Sequence, residues 1–266
     1  MTLIQSIVIA IIEGLTEFLP VSSTGHMILA SAAMNIHEDA FVKTFEVVIQ
    51  LGAIMAIVLL YANRFLQGLT IYYKLTAAFI PTAVIGLLAY DIIKGYLFNP
   101  IVVSVMLVLG GIVLIVIDKK VVERKSNTDD LENITYKNAI KIGFWQCLSM
   151  IPGTSRAAAT IIGGVYSGLN KKQATEFSFL LAVPTMFAAT GYDLLKADIE
   201  FTNNELMLLG IGLVVAFITA FIAVKIFLKI VENYGFKHFG YYRIAIGILF
   251  LAFMAYNGDL TGNLGE

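Results

Sequence analysis

Six long apolar runs, separated by short polar connectors, leave this chain few ways to fold. They lie at about Phe41 to Tyr61, Leu75 to Ile93, Leu97 to Ile117, Thr175 to Leu194, Leu206 to Leu228 and Tyr241 to Tyr256. Hydrocarbon offers no partner to a backbone amide, so a chain this apolar crosses a bilayer only as helices or as a closed barrel. A barrel strand would alternate in polarity over about ten residues. These runs are continuous and about 20 residues long, the length of a spanning helix. The expected fold is all-α, a single polytopic membrane domain over residues 1–266 with about six spanning helices. Composition agrees: 58% of the 266 residues are hydrophobic, 14% are charged, and the mean hydropathy is +0.83. A formal net charge of −1 argues against a nucleic-acid partner. The single cysteine, Cys147, excludes an internal disulfide, and no Cys/His spacing suits zinc. No Lys or Arg precedes the first apolar stretch and no small-residue cleavage site follows it, so residues 1–19 are expected to stay in the protein.

The stretch Glu13-Gly-Leu-Thr-Glu-Phe-Leu-Pro-Val-Ser-Ser-Thr-Gly-His26 breaks the apolar pattern. Glu13 and Glu17 are one helical turn apart, so both carboxylates leave one face of a helix over residues 3 to 18. An ionised side chain in mid-membrane costs about 2.5–3.5 kcal/mol on insertion scales, so two of them call for a compensating cation or proton. Pro20 ends the helix. Ser22, Ser23 and Thr24 then supply hydroxyls, Gly25 permits a crowded anion-binding turn, and His26 stands at its exit. Neither residues 3 to 18 nor residues 21 to 34 make a comfortable span. Two short helices joined by a polar turn predict a re-entrant hairpin, which membranes tolerate where the irregular backbone is buried or lines a cavity.

The pattern then recurs. Residues 139 to 151 form a short helix, Pro152-Gly-Thr-Ser-Arg156 a polar turn and Ala157 to Leu169 a second short helix, followed by three spans. An offset of about 132 residues relates the halves, about 1–117 and 138–256, across the charged linker 118–137. Three spans per half invert the second copy. One side of the membrane then receives Arg64, Lys74, Lys119, Lys120, Arg124, Lys125, Lys137, Lys171, Lys172, Lys225, Lys229 and Lys237, and the other only Lys43, Lys94 and Lys196. The positive-inside rule makes the first side, with its linker, cytoplasmic and puts both termini outside. The two polar turns enter from opposite faces and are expected to meet near mid-membrane.

Arg156, with Thr154, Ser155 and Thr160 around it, suits a phosphate: the guanidinium is a planar fork of donors and the hydroxyls add more. Glu13 and Glu17 suit a hard divalent cation bridging to the same oxygens. The competing reading makes the acids and Arg156 a buried ion pair that stitches the halves together. His26 is open to three roles, as nucleophile, as proton donor to a leaving group or as orienter of a serine. His37 and His238 fall in connectors. Pro81 and Pro184 are expected to kink helices, and Gln50 to serve interhelical packing.

The first polar stretch, Phe45-Glu-Val-Val-Ile-Gln-Leu-Gly52, Pro152-Gly-Thr-Ser-Arg156 and Glu176-Phe-Ser-Phe-Leu-Leu-Ala-Val-Pro184 resemble the bacterial undecaprenyl-diphosphate phosphatase family of the bacitracin-resistance type, over nearly the whole chain. The resemblance implies removal of one phosphate from a C55 polyprenyl diphosphate, recycling the cell-wall carrier lipid in the inner membrane through a site reached from the periplasm. It also implies dependence on Mg²⁺ or Ca²⁺, and a homodimer is compatible with it. By position it places the acidic motif on Glu13 and Glu17, its serine and histidine on Ser23 and His26, and its phosphate-binding motif on Ser155, Arg156 and Thr160, leaving Ser23 and His26 both open as nucleophile. Where the family usually has Ser-Gly after the arginine, this chain has Ala157-Ala158 and lacks a hydroxyl. Lipid phosphatases with histidine nucleophiles fit less well, since no histidine closely follows Ser155-Arg156. A transporter or flippase of a polyprenyl phosphate or other anionic lipid is the alternative that an inverted repeat equally allows.

Overall fold

The computed structural model describes residues 1–66, 68–96, 100–120, 131, 134–196 and 201–257. In chain order its helices are α1 (Leu3–Thr16), α2 (Ser23–Ala33), α3 (Ala40–Leu60), α4 (Ala62–Leu66), α5 (Thr70–Tyr96), α6 (Pro100–Lys120), α7 (Tyr136–Cys147), α8 (Arg156–Tyr166), α9 (Lys171–Lys196), α10 (Asn203–Tyr234) and α11 (Lys237–Asn257), with a 3-10 turn at Leu148–Met150. Every regular element among the described residues is helical. Six of them, α3, α5, α6, α9, α10 and α11, are long and apolar enough to cross a membrane, and the chain is a multi-pass membrane protein. Most of the linker expected at 118–137 lies outside the described residues, although Asp118 still belongs to α6 and Tyr136 already opens α7.

Local chemistry sets the helix ends. Thr2 and Gln5 form a reciprocal capping box on α1, and Thr202 and Glu205 form another on α10. Asp39 caps α3 and Thr135 caps α7 through their side chains. The spans run past the apolar stretches that foretold them: α9 takes in Lys171 and Lys196, and α10 continues to Tyr234. Lys171 and Lys196 at the ends of α9 can carry their charge out to the interface along their apolar stems.

Two of the short helices lie along long helices distant in sequence: α1 along α10, and α7 along α5. The short helices also pair with each other, α1 with α2 and α7 with α8, while α6 joins α11 and α3 joins both α9 and α10. The α1–α10 seam is close enough to require glycine. A Cβ on Gly14 would stand 1.9 Å from Thr219 Oγ1 and 2.6 Å from the Ala216 carbonyl oxygen. Phe18, Phe177, Phe179 and Phe227 fill the main core, and Ile9, Phe45, Ile49 and Leu208 a second one.

Charged ends gather on one face of the bundle. Arg64 pairs with Glu176 at 3.4 Å, Lys171 with Asp118 at 2.8 Å and Lys172 with Glu232 at 3.9 Å, and the Phe236 amide donates to Asp118 at 3.0 Å. These contacts bring together α4, the ends of α6 and α10 and the starts of α9 and α11. At the opposite face the Met1 amino group lies 3.7 Å from Asp39, and the Phe41 and Phe201 rings meet edge to face.

Candidate active site

Two turns with one backbone design build the site. Ser22 has φ +72° and accepts the Gly25 N–H on its hydroxyl; Ser155 has φ +74° and accepts the Ala158 N–H in the same way. Each then opens an 11-residue helix. Each helix also ends alike, on a left-handed residue at Asn35 or Gly168. A left-handed conformation costs a non-glycine residue on the order of 1–3 kcal/mol, and here each one seats a capping hydroxyl and turns a helix N-terminus inward. The first residues of the two helices are Ser23 and Arg156.

Those two residues converge on one carboxylate. Arg156 Nη2 donates to Glu17 Oε1 at 3.0 Å, and Ser23 Oγ donates to Glu17 Oε2. Arg156 Nη1 donates to the Ser178 carbonyl at 3.0 Å, and the guanidinium lies 5.5 Å from the Phe18 ring centre. Among the described residues neither Arg156 Nε nor Thr154 Oγ1, both buried, has a partner. Beside Glu17 sits Glu13, wholly buried, and among the described residues no donor takes either of its carboxylate oxygens.

A cavity of about 200 Å³ opens over this arrangement. Glu17, Ser22, Ser23, Thr24, Ser155 and Arg156 line it, together with Gln50, Ser149, Met150, Pro152, Gly153, Met186 and Ala189. Glu13, His26, Thr154 and Thr160 stand behind that wall. Thr160 Oγ1 is spoken for by the Arg156 carbonyl at 2.8 Å and Ser178 Oγ at 2.6 Å, so it braces the arginine-bearing turn. His26 Nδ1 lies 2.8 Å from the Ser22 carbonyl, an acceptor only, which puts the proton on Nδ1; Nε2 then accepts from the Tyr242 hydroxyl at 2.9 Å. Ala157 and Ala158 are buried in the main core and absent from the cavity wall, so the departure there removes no group from it.

The expected fork of Arg156 is therefore turned mostly on the protein, joining Glu17 to the Ser178 backbone, with Nε left over. Gln50, read from sequence as a packing residue, lines the cavity. Tyr242 and Arg243 were not singled out in the sequence, and Ser178 entered only as part of the motif from Glu176 to Pro184. Arg243 had a signal, since it is an arginine inside an apolar run, where ionisable residues default to function.

A metal ion would find hard donors here. Among the described residues no group of three or more His, Cys, Asp or Glu side chains could hold one. Two adjacent carboxylates, one with both oxygens unpartnered, match the way Mg²⁺ binds, through one or two carboxylates with substrate phosphate and water completing its shell. Ca²⁺ shares the preference for oxygen but takes more ligands.

A family model described as bacitracin resistance protein BacA matches residues 6–249. The chain is 51% identical to a Wolinella succinogenes protein named undecaprenyl-diphosphatase over 254 residues, which cover 96% of this chain and 99% of the relative. Proteins of the same name from Flavobacterium johnsoniae and Aquifex aeolicus are each 49% identical, covering 98% and 96% of this chain and 99% and 100% of the relatives.

Proposed function

The chain belongs to the BacA family of bacitracin resistance proteins, and from that membership and the chemistry of the cavity we propose that it hydrolyses undecaprenyl diphosphate to undecaprenyl phosphate and inorganic phosphate. The reaction recycles the lipid that carries cell-wall precursors. One observation carries the chemical reading: Glu17 accepts the Ser23 hydroxyl on one oxygen and the Arg156 guanidinium on the other, in the wall of one cavity.

That arrangement favours Ser23 over His26 as nucleophile. Ser23 lines the cavity with a carboxylate on its proton, whereas His26 stands outside the wall with its basic nitrogen occupied by Tyr242. In the step we infer, Ser23 Oγ attacks the terminal phosphorus, its proton passes to Glu17 Oε2, and the bond from phosphorus to the bridging oxygen breaks, releasing undecaprenyl phosphate. Water then attacks the serine phosphate: its oxygen bonds to phosphorus as the bond to Ser23 Oγ breaks, Glu17 returns its proton to Ser23 Oγ, and dihydrogen phosphate leaves with both protons of the water. Arg156 Nε, the Ser155 backbone and the hydroxyls of Ser22 and Thr24 serve the phosphate oxygens, with Thr154 and Thr160 supporting their turn. Glu13 and Glu17 would hold Mg²⁺ or Ca²⁺, which when bound neutralises phosphate charge.

Membrane placement follows from charge. The face that gathers Arg64, Lys171, Lys172 and Lys237 is assigned to the cytoplasm of a bacterial inner membrane. Met186 and Ala189 lie on the half of α9 remote from Lys171, which supports a cavity reached from the periplasmic side. The paired turns and reciprocal helix packing support two inverted halves, each opening with a re-entrant hairpin.

The test is phosphate release from undecaprenyl diphosphate by the purified protein in detergent, with acid-stable phosphoserine sought at Ser23 after rapid quench. Turnover with label at Ser23 is the expected result. A protein that moves the lipid across vesicles and releases no phosphate would be a carrier, and label on His26 would reverse the choice of nucleophile.

A further inference from the structure

Arg243 is a wholly buried arginine on α11, and all of its N–H groups are engaged by main-chain carbonyls. Nε donates to Leu107 at 3.3 Å, Nη1 to Pro20 at 2.9 Å and Thr154 at 3.0 Å, and Nη2 to Met106 at 3.1 Å and Gly153 at 2.8 Å. Two of these carbonyls belong to α6, one to the first polar turn and two to the second. A single side chain therefore ties both turns of the site to the α6–α11 pair. Its hydrogen bonds are satisfied and its charge is not: among the described residues no carboxylate comes within ion-pair distance of it.

A buried cation without an anion is costly, and carbonyl dipoles offset only part of that cost. Gly153, whose carbonyl Arg243 holds, is itself part of the cavity wall. The described peptides are all trans, so drawing the Thr154 carbonyl towards Arg243 turns the Ser155 N–H the opposite way. No acceptor among the described residues takes that N–H, and Thr154 Oγ1 beside it is buried without a partner.

We propose that Arg243 is a positioning residue for the phosphatase reaction, and that the counter-charge missing from its surroundings is supplied by the phosphate group of the substrate. Its geometry sets the carbonyls of Pro20, Gly153 and Thr154, and thereby the direction of the donors in the second turn. Its charge, one peptide behind the wall, favours an anion in the cavity. The proposal rests on the phosphatase reading above.

The two contributions separate by substitution. Arg243→Gln removes the charge, Arg243→Lys keeps it and loses the reach to five carbonyls, and Gly110→Ala keeps the arginine but places a methyl 2.2 Å from Nη2, forcing the guanidinium away. Each purified protein is assayed for kcat, KM, melting temperature and inhibition by inorganic phosphate. Arg243→Gln should raise KM and the phosphate inhibition constant roughly tenfold, as expected for a buried charge acting on an anion at short range. Arg243→Lys should hold both near wild type while kcat falls, and Gly110→Ala should shift in the direction of Arg243→Gln. A mere strut predicts lower melting temperatures with unchanged kcat, KM and phosphate inhibition in the protein that folds. That result, or failure of all three variants to fold, overturns the proposal. Should the wild type release no phosphate, the functional reading falls instead, and calorimetric binding of inorganic phosphate to wild type and Arg243→Gln decides this one: equal affinity overturns it.

Discussion

Arg156 Nη2 and Glu17 Oε1 lie 3.0 Å apart, joining two polar turns separated by 139 residues of sequence. Both side chains are largely buried, and the same carboxylate holds the Ser23 hydroxyl. The pair is a structural contact and, in the reaction proposed above, also part of the chemistry, and the variants below pull those roles apart.

Arg156→Lys keeps the positive charge and loses the planar fork that reaches Glu17 and the Ser178 carbonyl together. Folding should survive. If Nε and its neighbours contact charge developing on the transferred phosphoryl group, kcat and kcat/KM should both fall by roughly 10²–10³, the scale of one lost transition-state donor. Steady-state kinetics alongside a melting curve checks this. Reduced melting temperature with near wild-type turnover would leave only the ion pair.

Glu17→Gln should abolish turnover even with metal in excess, because it removes the acceptor of the Ser23 proton and a partner of Arg156 together. Chelation of the wild type should also stop turnover, reversed by Mg²⁺ or Ca²⁺, since Glu13 and Glu17 present the adjacent hard donors. Full activity in excess chelator would refute the metal assignment.

Ser23→Ala leaves the capping serine, Ser22, in place, so α2 should still form. Turnover should drop by on the order of 10³-fold or more, as for loss of a nucleophile. Rapid-quench labelling should then lose the phosphoserine. Retention of labelled enzyme in Ser23→Ala would point to another nucleophile.

Gly14→Val tests packing away from the chemistry. Its side chain would collide with Thr219 Oγ1 and the Ala216 carbonyl on α10, and a backbone contact cannot swing aside. Overpacking of this kind costs about 1–3 kcal/mol, so the melting temperature should fall by several degrees. A substitution that leaves thermal unfolding unchanged would mean that the α1–α10 seam is looser than the structure has it.

Orientation is open to single-cysteine labelling in a Cys147→Ala background. Position 126, in the linker outside the described residues, should resist an impermeant thiol reagent in intact cells, while a cysteine near the C-terminus should react. The opposite pattern would invert the topology.

Apolar length alone was enough to read the helical class and the six spans, because backbone hydrogen bonding in lipid admits so few alternatives. The Glu13–His26 stretch and Arg156 could be picked out for the same reason: ionisable groups are costly in hydrocarbon, so their presence in an oily chain is informative. Partnership was a different matter. A pair between the acids and Arg156 was one of two readings the sequence allowed, but that Arg156 reaches Glu17 in particular, that Thr160 braces Ser178, and that His26 answers to Tyr242 while Ser23 faces the cavity depend on how helices distant in sequence cross, and side-chain spacing within one helix says nothing of that. Gln50 looked like packing because its helix pattern could not say which face meets a cavity. Arg243 shows the limit most plainly. Its five partners are main-chain carbonyls from three separate segments. A carbonyl is identical at every residue and leaves no mark in the sequence, so only the folded arrangement of the two turns and α6 could reveal what that buried charge holds.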